Sequence, residues 1–127
     1  MKNIVVILLA VVAFSTGCNK DQFIKKLVGT YTVNSYIKDS KDQTNQFKAD
    51  KADYRLDIAE NNIFTETYTI NGLVYKKVTG EWQLINSSKD LQMIDPENKV
   101  RMFNIVKMER KSMTLEKGNE QFQFIEK

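Results

Sequence analysis

The chain of 127 residues has no histidine, one cysteine and one proline. Catalytic Ser-His-Asp and Cys-His systems are excluded because both need a histidine base. Zinc sites built from cysteine and histidine are excluded as well, and one cysteine cannot form a disulfide within the chain. Glycine-rich phosphate loops and the Asp-rich calcium loop are also missing from the sequence. The sequence therefore predicts no metal site and no cofactor.

Paired carboxylates are the remaining route to hydrolytic chemistry in this chain. Glu66, Glu81 and Glu109 all fall on predicted strands. Carboxylates on strands usually face solvent beside lysine side chains, and lysine is plentiful here. We therefore expect these three carboxylates to lie on the surface, and we predict no catalytic residues and no enzyme.

The charge of the chain is close to balanced. It carries 19 basic and 16 acidic residues, a net charge of +3 at pH 7. Nucleic-acid-binding domains usually have a strongly basic face. The short basic clusters at Lys25-Lys26, Lys76-Lys77 and Arg110-Lys111 are typical of solvated strand ends. We expect no nucleic-acid partner.

The first eighteen residues have the pattern of a signal peptide. Lys2 is followed by an uninterrupted apolar run from Ile4 to Phe14. As a helix this run would rise about 16 Å, too little for a hydrocarbon core of roughly 30 Å. A short positive start followed by such a run is typical of secretory signals.

The segment after the apolar run, Ser15-Thr16-Gly17-Cys18, resembles the lipobox of bacterial lipoproteins, although Leu is usual where Ser15 stands. The resemblance implies a lipoprotein signal peptide over residues 1–17 and a lipidated tether over residues 18–22. It also implies membrane attachment through acyl chains on Cys18, with each buried CH₂ adding about 0.8 kcal/mol. The alternative is an ordinary secretory signal with an incidental cysteine.

The residue after the cysteine bears on localisation. Asp at this position is associated with inner-membrane retention in some Gram-negative bacteria, and this chain has Asn19. We therefore expect a lipid anchor in the outer membrane of a Gram-negative bacterium. Both the periplasmic and the surface face stay open.

The remaining sequence predicts an all-β domain after a short helix over residues 22–28. Apolar alternation and turn residues predict strands over residues 31–37, 54–58, 64–70, 73–78, 81–85, 91–94, 100–108, 112–117 and 121–125. Asn71-Gly72 between two of them is a strong hairpin signal. Tight turns make consecutive strands antiparallel, and closing such an up-and-down meander into a barrel removes its exposed edges. Residues 38–53 are polar, and we interpret them as a long loop with at most one helical turn.

Two segments carry a family resemblance. Val28-Gly-Thr-Tyr31 and Thr79-Gly-Glu-Trp82 each place an aromatic residue two positions after a glycine at the start of a strand. The first resembles the Gly-x-Trp signature of lipocalins, with Tyr31 in place of Trp. The chain from residue 23 to 127 is similar to the small lipocalin-like domains of bacterial membrane lipoproteins. Lipocalin-like domains generally bind a ligand or have an unknown role, and the resemblance implies a small closed barrel that needs no metal.

The candidate ligand or partner contacts are aromatic residues: Tyr31, Phe47, Tyr54, Tyr68 and Trp82. Tyr31 and Trp82 have a competing interpretation as core residues that plug one barrel end. Phe47 is the one large apolar residue of the loop, and we expect it to cover the open end. We expect the barrel interior to be filled by Phe64, Tyr68, Met93, Met102, Phe103, Phe122 and Phe124.

These observations predict a membrane-anchored, non-catalytic binding module. Its partner would be a small apolar ligand or another protein, including an outer-membrane protein. The alternative is an accessory or structural subunit of an outer-membrane complex, or an inhibitor or immunity-type lipoprotein.

Overall fold

Strands make up most of the chain that the computed structural model describes, residues 22–51 and 53–127. Those residues contain nine strands: β1 (Gly29–Lys38), β2 (Lys41–Asp42), β3 (Asp53–Ile58), β4 (Ile63–Ile70), β5 (Leu73–Ile85), β6 (Asp90–Ile94), β7 (Val100–Glu109), β8 (Ser112–Lys117) and β9 (Glu120–Glu126). Residues 22–27 form helix α1, as predicted, and Thr44–Lys51 form helix α2. Neither of these described helices has the length and apolar character needed to cross a bilayer. The predicted signal peptide and Cys18 lie outside the described residues.

The sheet closes on itself. The strands are hydrogen-bonded in the order β2-β1-β3-β4-β5-β6-β7-β8-β9, every pairing is antiparallel, and β9 also pairs with β1. Eight strands therefore form a closed antiparallel barrel, while the two residues of β2 pair with the last two residues of β1. The predicted up-and-down barrel is confirmed.

Each end of the barrel has a distinct structure. Helix α1 lies at the end where β1 begins, which we call the closed end. Leu27 of this helix is fully buried, and its carbonyl accepts a 2.8 Å hydrogen bond from the Tyr31 hydroxyl. Trp82 is also buried near this end, and its indole N–H donates to the carbonyl of Ala59 at 2.9 Å. Tyr31 and Trp82 therefore pack in the core.

The opposite end, which we call the open end, carries the β4–β5 turn and helix α2. The turn residues Asn71 and Gly72 have φ angles of 53° and 78°, the left-handed conformation that an Asn-Gly hairpin turn requires. The predicted hairpin is confirmed at this position.

Strand β5 is longer than the sequence predicts. Two strands were expected, separated at Thr79-Gly80, but the structure has one strand of 13 residues. Gly80 is needed for close packing: a Cβ atom there would lie 2.1 Å from the carbonyl oxygen of Ile94 and 2.7 Å from the ring of Phe64. The glycine therefore marks a close approach within the barrel wall rather than the end of a strand.

The expected long loop is largely ordered secondary structure. Strand β1 continues to Lys38, and α2 occupies eight residues, more than the single helical turn that we predicted. Asp42 caps this helix, because its carboxylate accepts hydrogen bonds from the backbone N–H of Thr44 at 3.0 Å and from the Thr44 hydroxyl at 2.6 Å. These hydrogen bonds lower the pKa of Asp42.

The core occupies the closed end of the barrel and extends to the residues that line the open end. Its fully buried side chains include Phe64, Met93 and Met113, and Phe103 and Phe124 are almost fully buried. Met102 was expected inside, but it is 39% exposed. The reason is the two-residue period of β7, which turns Phe103 inward and therefore turns its neighbour Met102 outward.

Candidate functional site

A cavity of about 380 Å³ opens at the open end of the barrel. We call it the mouth cavity. Aromatic rings form much of its wall, contributed by Tyr36, Phe47, Tyr54, Tyr68 and Phe122. Small-molecule sites in proteins usually occupy roughly 300–1,000 Å³ and have mostly apolar walls with a few polar groups. The mouth cavity has the size of a small site of this kind. Half of its lining residues are aromatic, and the other half are polar or charged.

A β-bulge brings Tyr36 into the wall of the cavity. Along β1, Tyr31 and Val33 face the core, so simple alternation would turn Tyr36 to the outside. The register between β1 and β9 shifts between Val33 and Ser35, which reverses the alternation. Tyr36 consequently lies opposite Phe122, with 4.9 Å between the ring centroids.

Helix α2 places Phe47 over the cavity. The start of α2 is fixed to β1, because the backbone N–H of Gln43 donates to the carbonyl of Tyr36 at 2.9 Å. The Phe47 ring centroid lies 5.1 Å from that of Tyr36, 6.0 Å from Phe122 and 6.1 Å from Tyr54. Phe47 therefore joins the aromatic wall and holds the helix on the barrel.

The same helix covers a gap in the barrel wall. Strand β1 pairs with β3 only from Gly29 to Thr32, so the two strands separate toward the open end. Helix α2 contacts β1, β3 and β4 beside this separation. An open groove of about 690 Å³ lies along the gap, lined in part by Thr32, Arg55 and Phe47. The mouth region is thus bounded on one side by a helix instead of a continuous sheet.

An ion pair lies in the depth of the mouth cavity. Glu66 of β4 accepts hydrogen bonds from both Arg101 Nη1, at 3.0 Å, and Arg101 Nη2. Arg101 belongs to β7, which is not a neighbour of β4 in the barrel, so the ion pair crosses the interior. The Glu66 side chain is only 3% exposed, while that of Arg101 is 28% exposed. The expectation that Glu66 faces solvent is wrong, because its strand turns it inward together with Phe64.

The other two carboxylates behave as expected. Glu81 and Glu109 are exposed, and Glu109 pairs with Lys107 at 2.8 Å. The hydrogen bond between them lowers the pKa of Glu109 and raises that of Lys107. In the described part of the chain, no group of three or more Asp, Glu, Cys or His side chains is arranged to hold a metal ion.

Tyr54 completes the polar group at the base of the cavity. Its hydroxyl donates to Glu66 Oε2. Burial, followed by the charge of Glu66 and this hydrogen bond, raises the pKa of Tyr54 well above its ordinary value. Burial and the charge of Glu66 likewise raise the pKa of Tyr68 to about 12. Both hydroxyls therefore stay protonated at neutral pH, and Tyr54 remains a donor to Glu66.

Arg101 keeps its charge in this setting. Burial on its own lowers the pKa of Arg101, but the hydrogen bonds from Arg101 to Glu66 and the charge of Glu66 outweigh burial and raise it. The guanidinium also lies over the ring of Phe64, with 5.8 Å between its central carbon and the ring centroid. The base of the cavity is therefore a charged but mutually neutralised pair, which we call the floor pair.

Comparison with solved structures identifies the fold. A lipocalin-like protein from Bacteroides uniformis superposes with a TM-score of 0.66 at 13% sequence identity, covering 80% of this chain and 99% of that chain. The fold is lipocalin-like. An uncharacterized protein from Bacteroides eggerthii gives a TM-score of 0.63, also at 13% identity, covering 79% and 98% of the two chains. No protein-family model matches the sequence, and no curated protein matches it.

The lipocalin-like barrel brings together three of the predicted contact residues. Phe47, Tyr54 and Tyr68 all line the mouth cavity. Tyr31 and Trp82 do not, because both are buried near the closed end. The predicted lipidation site Cys18 lies in the part of the chain that the structure does not describe.

Sequence reasoning missed Arg101 and wrongly placed Glu66 on the surface. Arg101 sits among Val100, Met102 and Phe103, so its charge interrupts a largely apolar strand. A charged residue in such a strand is a signal for a buried or functional position. Its partner Glu66 is 35 residues away in the sequence, however. Two strands, β5 and β6, lie between the strands of the two residues in the sheet, so no local pattern links them.

Proposed function

We propose that this chain is a lipocalin-like binding module that holds a small ligand with an apolar body in the mouth cavity. The observation that carries the proposal is a cavity of about 380 Å³ with aromatic walls and a polar base. Aromatic side chains bury large apolar areas of a bound molecule, and the polar base gives that molecule an orientation. Phe47 on α2 acts as a cover that must move for the ligand to enter.

Fluorescence titration with N-phenyl-1-naphthylamine, an uncharged apolar probe, tests this proposal. We expect a saturable increase in fluorescence with one site per chain. Phe47→Ala removes the cover, so it should accelerate probe dissociation and weaken binding by about tenfold, equal to about 1.4 kcal/mol. Asn45→Ala on the exposed side of the same helix is the matched control and should bind the probe like the wild type. Absence of saturable binding to the wild type would refute the proposal.

Membrane anchoring through Cys18 is the second part of the proposed function. It is supported by the apolar run before the cysteine and by the resemblance to a lipobox. Asn19 supports the outer membrane of a Gram-negative bacterium as the location. Only three residues separate Cys18 from Gln22, the first described residue, which belongs to the helix of the closed end. An anchor at Cys18 would therefore attach nearer the closed end than the mouth cavity.

Metabolic labelling with a palmitate analogue tests the anchor. We expect label on the wild type and none on Cys18→Ala, which should be released from membranes or left uncleaved. Label that persists in Cys18→Ala would contradict lipidation at this residue, and it would leave the binding proposal intact.

A protein partner is the second candidate function, favoured by the tip of the β4–β5 hairpin. Four apolar side chains there are exposed: Ile70 at 45%, Leu73 at 74%, Val74 at 59% and Tyr75 at 49%. Contiguous exposed apolar surface is typical of interaction sites. The partner would be a protein of the same envelope, as for an accessory or structural subunit of an outer-membrane complex, or for an inhibitor or immunity-type lipoprotein.

Site-specific photocrosslinking in living cells tests the protein partner. A crosslinker in place of Leu73 should give a discrete adduct, whereas one in place of Lys111, at a turn of the closed end, should not. Equal adducts at both positions, or none at Leu73, would exclude the hairpin tip as a specific contact.

A further inference from the structure

The hydrogen bonds of the floor pair define which ligand group the cavity can accept. Glu66 receives three hydrogen bonds, two from Arg101 and one from Tyr54. A carboxylate has about four acceptor positions, so the capacity of Glu66 is largely used. A guanidinium has about five N–H donors, and Glu66 takes two of those of Arg101. The polar base therefore has donors left to offer and few acceptor positions.

The charge of the floor pair works against an anionic ligand. A carboxylate that approached Arg101 would also approach Glu66, whose negative charge already neutralises the guanidinium. For an anion that lies equally far from the two charges, the attraction to Arg101 and the repulsion from Glu66 have the same size and cancel. Lys38 and Lys117 also line the cavity, and both lie opposite Glu120 in the sheet. At the floor pair, the cost of removing water from an anion would therefore be uncompensated. A cationic ligand would be disfavoured for the same reason, because the repulsion from Arg101 would offset its attraction to Glu66.

The walls of the cavity select for a flat apolar body. The rings of Tyr36 and Phe122 lie 36° from parallel, and that of Phe47 is tilted by 74° to Phe122. Such an arrangement offers both stacking and edge contacts to a planar ligand.

We propose that the mouth cavity selects an uncharged molecule that has a flat apolar body and an acceptor oxygen, and that Arg101 donates a hydrogen bond to this oxygen. The inference rests on the proposed function, because it concerns the same cavity. It assigns Glu66 a role in specificity: this residue neutralises Arg101 and thereby keeps anionic ligands out.

Two ligands of nearly equal shape test the inference: 2-acetylnaphthalene, an uncharged ketone, and 2-naphthoate, the corresponding carboxylate. Each is used to displace bound N-phenyl-1-naphthylamine from the full chain. We expect the ketone to bind at least about tenfold more tightly than the carboxylate. Addition of the ketone should also shift the side-chain N–H resonances of Arg101.

Glu66→Gln is the decisive variant, since it leaves Arg101 positive and still offers it an acceptor oxygen. This variant should lose the preference or bind 2-naphthoate more tightly than the ketone. Glu109→Gln makes the same change of net charge at an exposed site away from the cavity, and it should keep the wild-type preference. Thermal melts establish that each variant is folded. If Glu66→Gln does not fold, the ratio of the ketone and carboxylate affinities of the wild type decides whether the cavity selects uncharged ligands.

The outcomes separate the two proposals. If N-phenyl-1-naphthylamine does not bind the wild type, the proposed function fails and the inference fails with it. If the probe binds but 2-naphthoate displaces it as well as the ketone does, the proposed function stands and the selection of uncharged ligands is refuted. An unchanged preference in folded Glu66→Gln would also refute the role of Glu66.

Discussion

The substitution Arg101→Met tests how strongly the floor pair is buried. It removes the guanidinium and leaves the Glu66 carboxylate, whose side chain is 3% exposed, without its ion-pair partner. Tyr54 would then be the remaining donor to Glu66 among the hydrogen bonds of the floor pair. One neutral donor cannot replace a charge-assisted bidentate contact. The folded state should therefore be strongly destabilised.

The expected magnitude follows from the burial of the two side chains. Breaking a buried ion pair by removing one partner costs about 3–5 kcal/mol. Because Arg101 is 28% exposed and the cavity opens to solvent, we expect the lower end, about 3 kcal/mol. With a urea slope of about 1.5 kcal/mol per M, the unfolding midpoint should fall by about 2 M at unchanged slope.

A double-mutant cycle with Glu66→Met separates the ion pair from general packing effects. Replacing both charged residues by apolar ones removes the unpaired carboxylate, so the double variant should regain most of the stability that Arg101→Met loses. The reasoning would be refuted if Arg101→Met lowered the midpoint by less than about 0.5 M, or if the double variant were no more stable than that single variant.

Three further predictions concern the rest of the barrel. Trp82→Ala should cost about 3–5 kcal/mol in a denaturant melt, and a loss below about 1 kcal/mol would contradict a core position. Gly80→Ala should cost about 1–3 kcal/mol in the same assay, because the new methyl group would overlap Phe64 and Ile94, and unchanged stability would contradict this packing. Burial, with Glu126 second, raises the pKa of Tyr31 to about 12 from its ordinary value of 10.0. Above pH 10 the unfolded chain therefore loses this proton while the folded chain keeps it. The free energy of unfolding should fall by about 1.4 kcal/mol per pH unit for this group, and the urea midpoint should fall with it. A midpoint that stays constant to pH 12 would contradict this prediction.

Local patterns in the sequence were sufficient for the order and direction of the strands. Period-two alternation and the Asn71-Gly72 turn predict consecutive antiparallel strands, and closure follows because an open meander would expose two edges. The prediction failed at Gly80, where the glycine serves a close approach between strands. Such an approach depends on three-dimensional contacts that a turn-like dipeptide does not reveal.

The candidate site was only partly predictable, for physical reasons. Phe47 is a conspicuous apolar residue in a polar stretch, and it does lie over the cavity. Helix α2 was not predicted in full, because one large apolar side chain makes too weak a helical pattern. Tyr36 faces inward through a β-bulge, and Arg101 meets Glu66 across the barrel. Bulges and long-range register depend on the packing of the whole barrel and leave no local signature.

The most direct test of a ligand site at the open end is a chemical-shift map of the backbone amides during titration with N-phenyl-1-naphthylamine. We predict shifts concentrated at the mouth cavity, at Tyr36, Arg101 and Phe122, with little change at Tyr31 and Trp82 near the closed end. Shifts centred on the closed end or on the exposed hairpin tip, or no saturable shifts at all, would contradict the account.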